Sequence, residues 1–255
     1  MLKLKFANNN NNNKNKKQMK KQKLIFLVTL LNLFSIFSCN GPTKEDENNE
    51  NQISSEKSFG EVQIGNQIWM TENLNIDHFC NGDPIPQAKT LEEWNRAGEN
   101  RHPVWCYFEN DSTNGVKYGK LYNWYAVNDI RLLAPKDWHI PSKNEWIDLF
   151  RFLGDKDEIG GKMKTKEGWT DNSNGNNSSG FSGLPGGAYI KGSFEYIGKT
   201  GCWWSASEYN RTSDFAWAFK LGHNPYYSIF DGNNYKFWSE QNFKNFGFSV
   251  RCVKD

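Results

Sequence analysis

The chain has no apolar run of the roughly 20 residues that a membrane-spanning helix needs. Its one long apolar stretch, residues 24–37 (LIFLVTLLNLFSIF), stops at 14. Acidic residues are absent through residue 38, a segment that carries eight lysines. Set that leader aside and 23 basic residues face 29 acidic ones, a net charge of −6. The formal excess of positive charge therefore belongs to the leader. The rest offers no cluster of Lys and Arg to neutralise phosphates, so no nucleic-acid partner is expected. Histidine is scarce: His78, His102, His139 and His223 show no HxxxH or HxH spacing, and no metal or other cofactor is expected. A Gly-x-Ser-x-Gly elbow and a phosphate-cradling glycine loop are also missing, and the reading names no catalytic residue.

What is present begins with the leader. Lys20, Lys21 and Lys23 precede the apolar run and Ser38-Cys39 follows it, the three parts of a secretory signal. Residues 8–13, all Asn, are low-complexity sequence with no packing role, and Met19 is an alternative start. Ile36-Phe37-Ser38-Cys39 resembles the lipobox of bacterial lipoproteins, in which the cysteine is lipidated and becomes the first residue. The resemblance implies a signal peptide over 1–38, a lipid on Cys39 as the membrane partner, and a place in the bacterial cell envelope, at the outer membrane. Residues 39–58 are polar and acidic, unable to bury a core, and read as a flexible tether. Acidic residues behind the lipidated cysteine also resemble the surface-export signal of Bacteroidota lipoproteins, which implies outward display.

Residues 59–255 have the length and aromatic content of one domain. Alternating apolar residues around Gly65-Asn66 predict a β-hairpin over 62–70. Thr90 and Glu93 have capping-box spacing ahead of Leu91 and Trp94, predicting a short helix that stops near Gly98. Residues 121–127 suit a second helix or, by their aromatics, a strand. Ser142 and Glu145 form a second capping box, and Trp146, Leu149, Phe150 and Leu153 recur at helical spacing until Gly154. The stretch 154–201 is rich in Gly, Asn and Ser and reads as long loops. Strands are expected at 202–205, 215–221, 226–230 and 246–253 in an antiparallel sheet.

Several motifs then occur in order: GNQIWMTENLN (65–75), YGKLYNW (118–124), WHIPS (138–142), GFSGLPGG (180–187), WWS (203–205) and GFSVRC (247–252). In this the chain resembles the Fibrobacter succinogenes major paralogous domain, a family of secreted and lipid-anchored proteins mostly without assigned activity, over nearly the whole of 59–255. Its helix motif and last strand are also similar to those of formylglycine-generating proteins. The implied fold is α+β and C-type-lectin-like, a twisted antiparallel sheet with two main helices and a long loop-rich region. Fold does not carry function, so the chemistry is tested on residues. Formylglycine generation needs a close pair of C-terminal cysteines, and Cys202 lies 50 residues before Cys252. Calcium-dependent lectins need Glu-Pro-Asn or Gln-Pro-Asp with Trp-Asn-Asp, since calcium wants several convergent oxygens. Neither set occurs, and Asn128-Asp129 and His223-Asn224-Pro225 are chance echoes. His139, inside the helix-entry motif, reads as structural. Glu145, Asp148 and Glu208 could pair only through the fold, and Glu145 already has a capping role.

With Cys39 lipidated, Cys80, Cys106, Cys202 and Cys252 form an even set in an exported domain, where disulfides are favoured. Three pairings are open. The resemblance implies Cys106–Cys252 with Cys80–Cys202, Ala134 standing where relatives often carry a cysteine.

Aromatic residues interleave with Asn and Gly in the second half. Trp169, Tyr189, Tyr196, Tyr226, Tyr227 and Trp238, with Tyr209 beside them, are the candidates for contact with a ligand, because rings beside amides suit sugars or peptides. The expected function is a surface-displayed, non-catalytic binding or adhesion module with a glycan or protein ligand. Two alternatives stand: an enzyme with a loop-assembled carboxylate site acting on extracellular polymers, and a structural envelope lipoprotein.

Overall fold

Gly65 turns the chain with a φ of 62°, a left-handed value that suits glycine, and the strands on either side pair as the sequence expects. They are β1 (Glu61–Ile64) and β2 (Gln67–Met70), antiparallel with Ile64 opposite Gln67. The computed structural model describes residues 58–209, 214–222 and 243–255. Cys39, the leader, the tether to residue 57, His223, Tyr226, Tyr227, Trp238 and the strand expected at 226–230 lie outside the described residues.

The first expected helix is α1 (Leu91–Glu99). Thr90 Oγ1 accepts the Glu93 amide at 3.2 Å and the Glu93 carboxylate accepts the Thr90 amide at 3.2 Å, so both partners of the capping box are engaged. Gly98 does not end the helix. It is buried inside it, where the Asn245 side chain approaches too closely for a Cβ. After β3 (Trp105–Cys106) comes a further short helix, α2 (Ser112–Tyr118).

Residues 121–127 resolve into both alternatives. β4 (Leu121–Tyr122) pairs with β3, then the Asn123 side chain caps α3 (Trp124–Val127). β5 (Trp138–His139) leads into α4 (Lys143–Leu153), whose capping box is Ser142 and Glu145. Its predicted face is buried: Trp146 stacks on Phe219 with centroids 4.7 Å apart, and Leu149, Phe150 and Leu153 pack around it.

The stretch 154–201 is more ordered than its Gly and Asn content implies. It holds α5 (Lys156–Met163) and a hairpin of β6 (Gly186–Ile190) and β7 (Ser193–Ile197). Lys191 and Gly192, both at positive φ, turn that hairpin, and paired aromatic residues, Tyr189 opposite Phe194, hold it. Two longer strands follow, β8 (Thr200–Glu208) and β9 (Ala216–Gly222), and β10 (Val253–Lys254) ends the fold.

Among the described residues the strands form three sheets, in the orders β1-β2-β10-β5, β3-β4 and β7-β6-β8-β9. All named pairs are antiparallel except β6 with β8, which meet in parallel at Gly187 and Gly201. The segment 246–253, expected as one strand, instead touches every sheet. Phe248 bridges to Tyr122, Gly247 to Tyr189 and Ser249 to Trp203, and the Met70 amide donates to the Cys252 carbonyl. It is the common wall of the mixed α+β domain.

The implied disulfides are not formed. Cys106, Cys202 and Cys252 are free, buried thiols. Cys106 belongs to the core cluster around Trp94 and Tyr189, whereas Cys252 belongs to the one around Tyr122 and Phe248, so packing directs the two side chains into different interiors. Burial pushes the Cys106 and Cys252 thiols far up and that of Cys202 to about 11. Such thiols behave as small apolar side chains.

Candidate functional site

Helix α1 is bounded by a hollow at each end. The one at its N-terminal end, with a volume of about 120 Å³, lies between the first turn of α1 and the β6–β7 hairpin. Trp94 and Tyr189 meet with centroids 4.7 Å apart at 55°, and Tyr189 and Phe194 at 4.8 Å and 63°. The Trp94 indole donates to the Asn245 carbonyl at 2.6 Å, which fixes the ring. Tyr189 is held through its backbone, its amide donating to Gly247 at 2.9 Å and its carbonyl accepting from Gly247 at 2.8 Å. Burial raises the Tyr189 phenol, and the nearby Cys106 and Glu92 add to the rise.

At the other end of α1, Arg101, Tyr125, Asp214, Phe243 and Asn245 line a cleft of about 290 Å³. Arg101 Nη2 lies 3.4 Å from Asp214 Oδ1, and both side chains are largely exposed. The half-buried Tyr125 phenol is raised first by burial; Arg101 opposes the rise and Asp214 adds to it, which places both charges within electrostatic reach of its hydroxyl. Lys244, almost fully buried, carries the wall: its ammonium lies 2.8 Å from Glu208 and 4.6 Å from the centre of the Trp124 ring. Phe243 packs on Phe215 at 4.4 Å.

The aromatic candidates separate in this frame. Trp169 is interior, 4% exposed, and its indole donates to Thr165 Oγ1 and the Gly183 carbonyl. Tyr189 is largely covered yet lines the smaller hollow. Tyr196 and Tyr209 are exposed, Tyr209 against Trp217. Sequence reasoning missed Arg101, Tyr125 and Asp214, which come from three separate segments with no shared spacing. Trp94 was visible as a residue of α1, though not as part of a hollow.

The three carboxylates considered for catalysis have separate partners. Asp148 pairs with Arg151 at 3.1 Å, Glu208 with Lys244, and Glu145 with His139 at 2.6 Å. His139 also reaches Asp255 Oδ1 through Nδ1 at 2.7 Å. The Glu145 hydrogen bond, joined by that of Asp255, lifts the imidazole to about 8 against the opposing effect of burial. Burial would raise the Glu145 carboxyl, but His139 and the Ser142 amide and hydroxyl overcome it and bring it to about 2. His139 thus joins β5, the α4 N-terminus and the last residue after β10, the structural role its motif implied. The two acids face different ring nitrogens and cannot share one ion through this histidine. Among the described residues no group of three or more His, Cys, Asp and Glu could hold a metal, and no helix is long and apolar enough to cross a membrane.

A buried centre joins the family-like motifs. Arg251 is fully buried; its Nη2 donates to Asn73 Oδ1 at 2.6 Å and its Nη1 to the carbonyls of Met70 and Phe181. Asn73 Oδ1 also accepts the Trp203 indole at 2.8 Å, while Nδ2 donates to the Tyr118 carbonyl at 2.8 Å and Ser249 Oγ at 3.3 Å. Burial lowers the guanidinium to about 9.

The geometry defines a mixed α+β domain held by a buried arginine, with two small hollows flanking one helix. The Fibrobacter succinogenes major domain family matches residues 62–254, and the chain belongs to that family. Comparison with curated proteins and with solved structures gave no match.

Proposed function

We propose that this chain is a lipid-anchored cell-envelope protein, displayed outward, that binds a glycan or protein ligand without catalysis in the cleft at the C-terminal end of α1. The observation that carries the reading is the convergence of the Tyr125 and Phe243 rings with the Arg101 guanidinium and the Asp214 carboxylate. Rings supply contact area and the charged groups orient hydroxyls or backbone amides. At about 290 Å³ the cleft lies just below the ~300–1,000 Å³ range of small-molecule sites, which suits one protruding unit of a polymer.

The catalytic alternative needs a carboxyl held protonated near neutral pH. Among the described residues, hydrogen bonds hold the carboxyls of Asp77, Asp83, Glu93, Asp111, Asp129 and Glu145 below the usual carboxylate range. The finer fold reading, C-type-lectin-like, belongs to the same proposal and draws on two main helices, α1 and α4, beside antiparallel strands. The anchor draws on the lipobox at Cys39 and the acidic tether behind it.

Glycan-array and pull-down binding by wild type, Arg101→Ala and Tyr125→Ala tests the cleft. Captured ligand should fall by about ten-fold in either variant, the effect of a truncated interface anchor. Unchanged binding by folded variants would exclude this cleft. For the anchor, Cys39→Ala should move the protein out of the membrane fraction, and protease added to whole cells should remove the wild-type domain.

A further inference from the structure

A third hollow, of about 280 Å³, shares no lining residue with the two beside α1. It opens between β1, the end of α4 and the end of α5. Its apolar lining includes Ile64 and Leu153, both buried. Beside them stands Phe152, which is 64% exposed although its helix neighbours Phe150 and Leu153 are each at 7%. The ring is nonetheless seated: a Cβ on Gly65 would meet it at 3.0 Å, so the bare glycine of the β1–β2 turn makes room for it. An aromatic ring is thus held in place with most of its surface in water.

The rest of the lining is polar: Gln63, Lys162, Ser178 and Ser179. The loop that carries the two serines is fixed from both sides. The Ser179 amide and hydroxyl donate to the Lys162 carbonyl at 3.1 and 2.8 Å, and the Asn177 amide group clasps Ser182 at 3.0 and 2.9 Å. Hydrogen-bonding capacity is left over. Gln63 donates through Nε2 to the Gly65 carbonyl at 3.2 Å, which leaves its Oε1 as an acceptor. Ser178 is held through its amide, on Asn176 Oδ1 at 2.9 Å, which leaves its hydroxyl to a ligand. Lys162 gives one N–H to the Leu153 carbonyl at 2.8 Å and lies 2.9 Å from Glu158, so a third N–H remains but its charge is already matched.

We infer that this hollow binds one neutral hexopyranose unit of a glycan, with a C–H face of the sugar on Phe152 and its hydroxyls on Gln63 Oε1, Ser178 Oγ and the third N–H of Lys162. A pyranose is apolar on its faces and polar around its rim, the same division that the lining shows. A cavity of about 150 Å³ takes benzene. One of about 280 Å³ takes a six-membered ring together with its hydroxyls. A wholly apolar ligand would cover the polar groups without satisfying them, and an anion would find Lys162 already paired. The site stands whether or not the cleft beside α1 takes a ligand.

Saturation-transfer NMR on the full chain with the methyl pyranosides of glucose, galactose and mannose tests this. At least one should bind saturably, with the strongest transfer on its ring C–H protons. Phe152→Ala should weaken it about five-fold through loss of the ring contact, and Ser178→Ala about three-fold through loss of one hydrogen bond. Both side chains are exposed, so the variants should keep the wild-type thermal midpoint. Phe152→Leu keeps apolar cover on Gly65 without the ring and should bind as weakly as Phe152→Ala. No saturable binding of any of the three sugars, or binding unchanged in Phe152→Ala, would overturn the site. Methyl glucuronide should bind no tighter than the glucoside, and a ten-fold gain would overturn the neutral assignment. Arg101→Ala should leave the sugar signal intact; loss of the signal there would assign it to the cleft instead. Binding of N-acetyl-glycyl-glycinamide in place of the sugars would make the hollow a peptide site and overturn the glycan assignment.

Discussion

Two cations, Arg251 and His139, hold the C-terminal segment in opposite ways. Arg251 is fully buried and donates to the neutral oxygens of Asn73, Met70 and Phe181. His139 is partly exposed and lies between two carboxylates, Glu145 and Asp255. The difference is one of dielectric. In the interior an amide oxygen already placed can satisfy a guanidinium without burying a second ion. At the surface, water lowers the cost of each ion but screens their attraction. The buried centre should therefore dominate stability, while the surface centre should be weaker and titrate through the His139 imidazole.

The sharpest way to break that comparison is Asn73→Ala. It removes the Oδ1 that Arg251 and Trp203 share and the Nδ2 that reaches Tyr118 and Ser249. A buried charge left short of its acceptor costs about 3–5 kcal/mol, enough to unfold a marginal domain. Urea unfolding of the variant should show that loss, or the protein should fail to fold. A loss below about 1 kcal/mol, the worth of a single ordinary hydrogen bond, would mean that the centre is not what holds 246–253 in place. Arg251→Met, which removes the charge and keeps much of the volume, should cost less than Asn73→Ala.

How much of this could be read beforehand follows from where each signal resides. Both capping boxes and the Gly65-Asn66 hairpin were legible because cap, turn and periodicity are encoded within a few residues. The short 121–127 stretch was ambiguous because Leu121 and Tyr122 serve β4, and Asn123 then opens α3 within the same seven residues. The β6–β7 hairpin was lost among glycines, since its evidence is the cross-strand pairing of Tyr189 with Phe194. Arg251 was quoted within a motif, yet its role depends on Asn73, 178 residues away. The cysteine pairing failed for the same reason: an even count carries no information on which interior each thiol enters. At the candidate site, Tyr189 was foreseen and Trp94 was foreseen only as part of a helix, but the Arg101–Tyr125–Asp214 cleft is a product of topology alone.

The next test concerns pH. His139 is raised in the fold from 6.5 to about 8, so its contribution is fully present below pH 6.5 and is lost as pH rises through about 8. Glu145 is lowered from 4.5 to about 2, so its contribution is present above pH 4.5 and is lost as pH falls through about 2. The larger displacement of Glu145 includes the Ser142 hydrogen bonds, so the histidine's shift is the better measure of the pair. Taken at face value that shift is about 2 kcal/mol. The His139 side chain is 38% exposed, and solvent screening reduces the figure to about 1 kcal/mol. Stability should be greatest between pH 4.5 and 6.5 and fall by that amount by about pH 9. His139→Gln should flatten the alkaline limb. A limb that survives in the variant would place the titrating group elsewhere.

The smallest expected effect belongs to Lys254, on the same terminal strand as these networks. Its ammonium lies 2.7 Å from Glu61 Oε1, the same distance as His139 from Asp255, and both side chains are about two-fifths exposed. Distance and exposure alone would rank this pair with the His139 network; it ranks below because His139 holds two carboxylates, whereas Lys254 meets Glu61 as an ordinary surface pair. Lys254→Ala should change unfolding free energy by no more than about 0.5 kcal/mol, and raised salt should erase even that difference. Lys254 also lies 5.7 Å from the centre of the Trp138 ring, so its aliphatic stem shares the surface of β5. If Lys254→Ala instead cost more than His139→Gln, and the loss persisted in high salt, apolar coverage of Trp138 would be the stronger force at this edge. Burial of carbon, rather than the pairing of ions, would then separate the surface from the centre around Arg251.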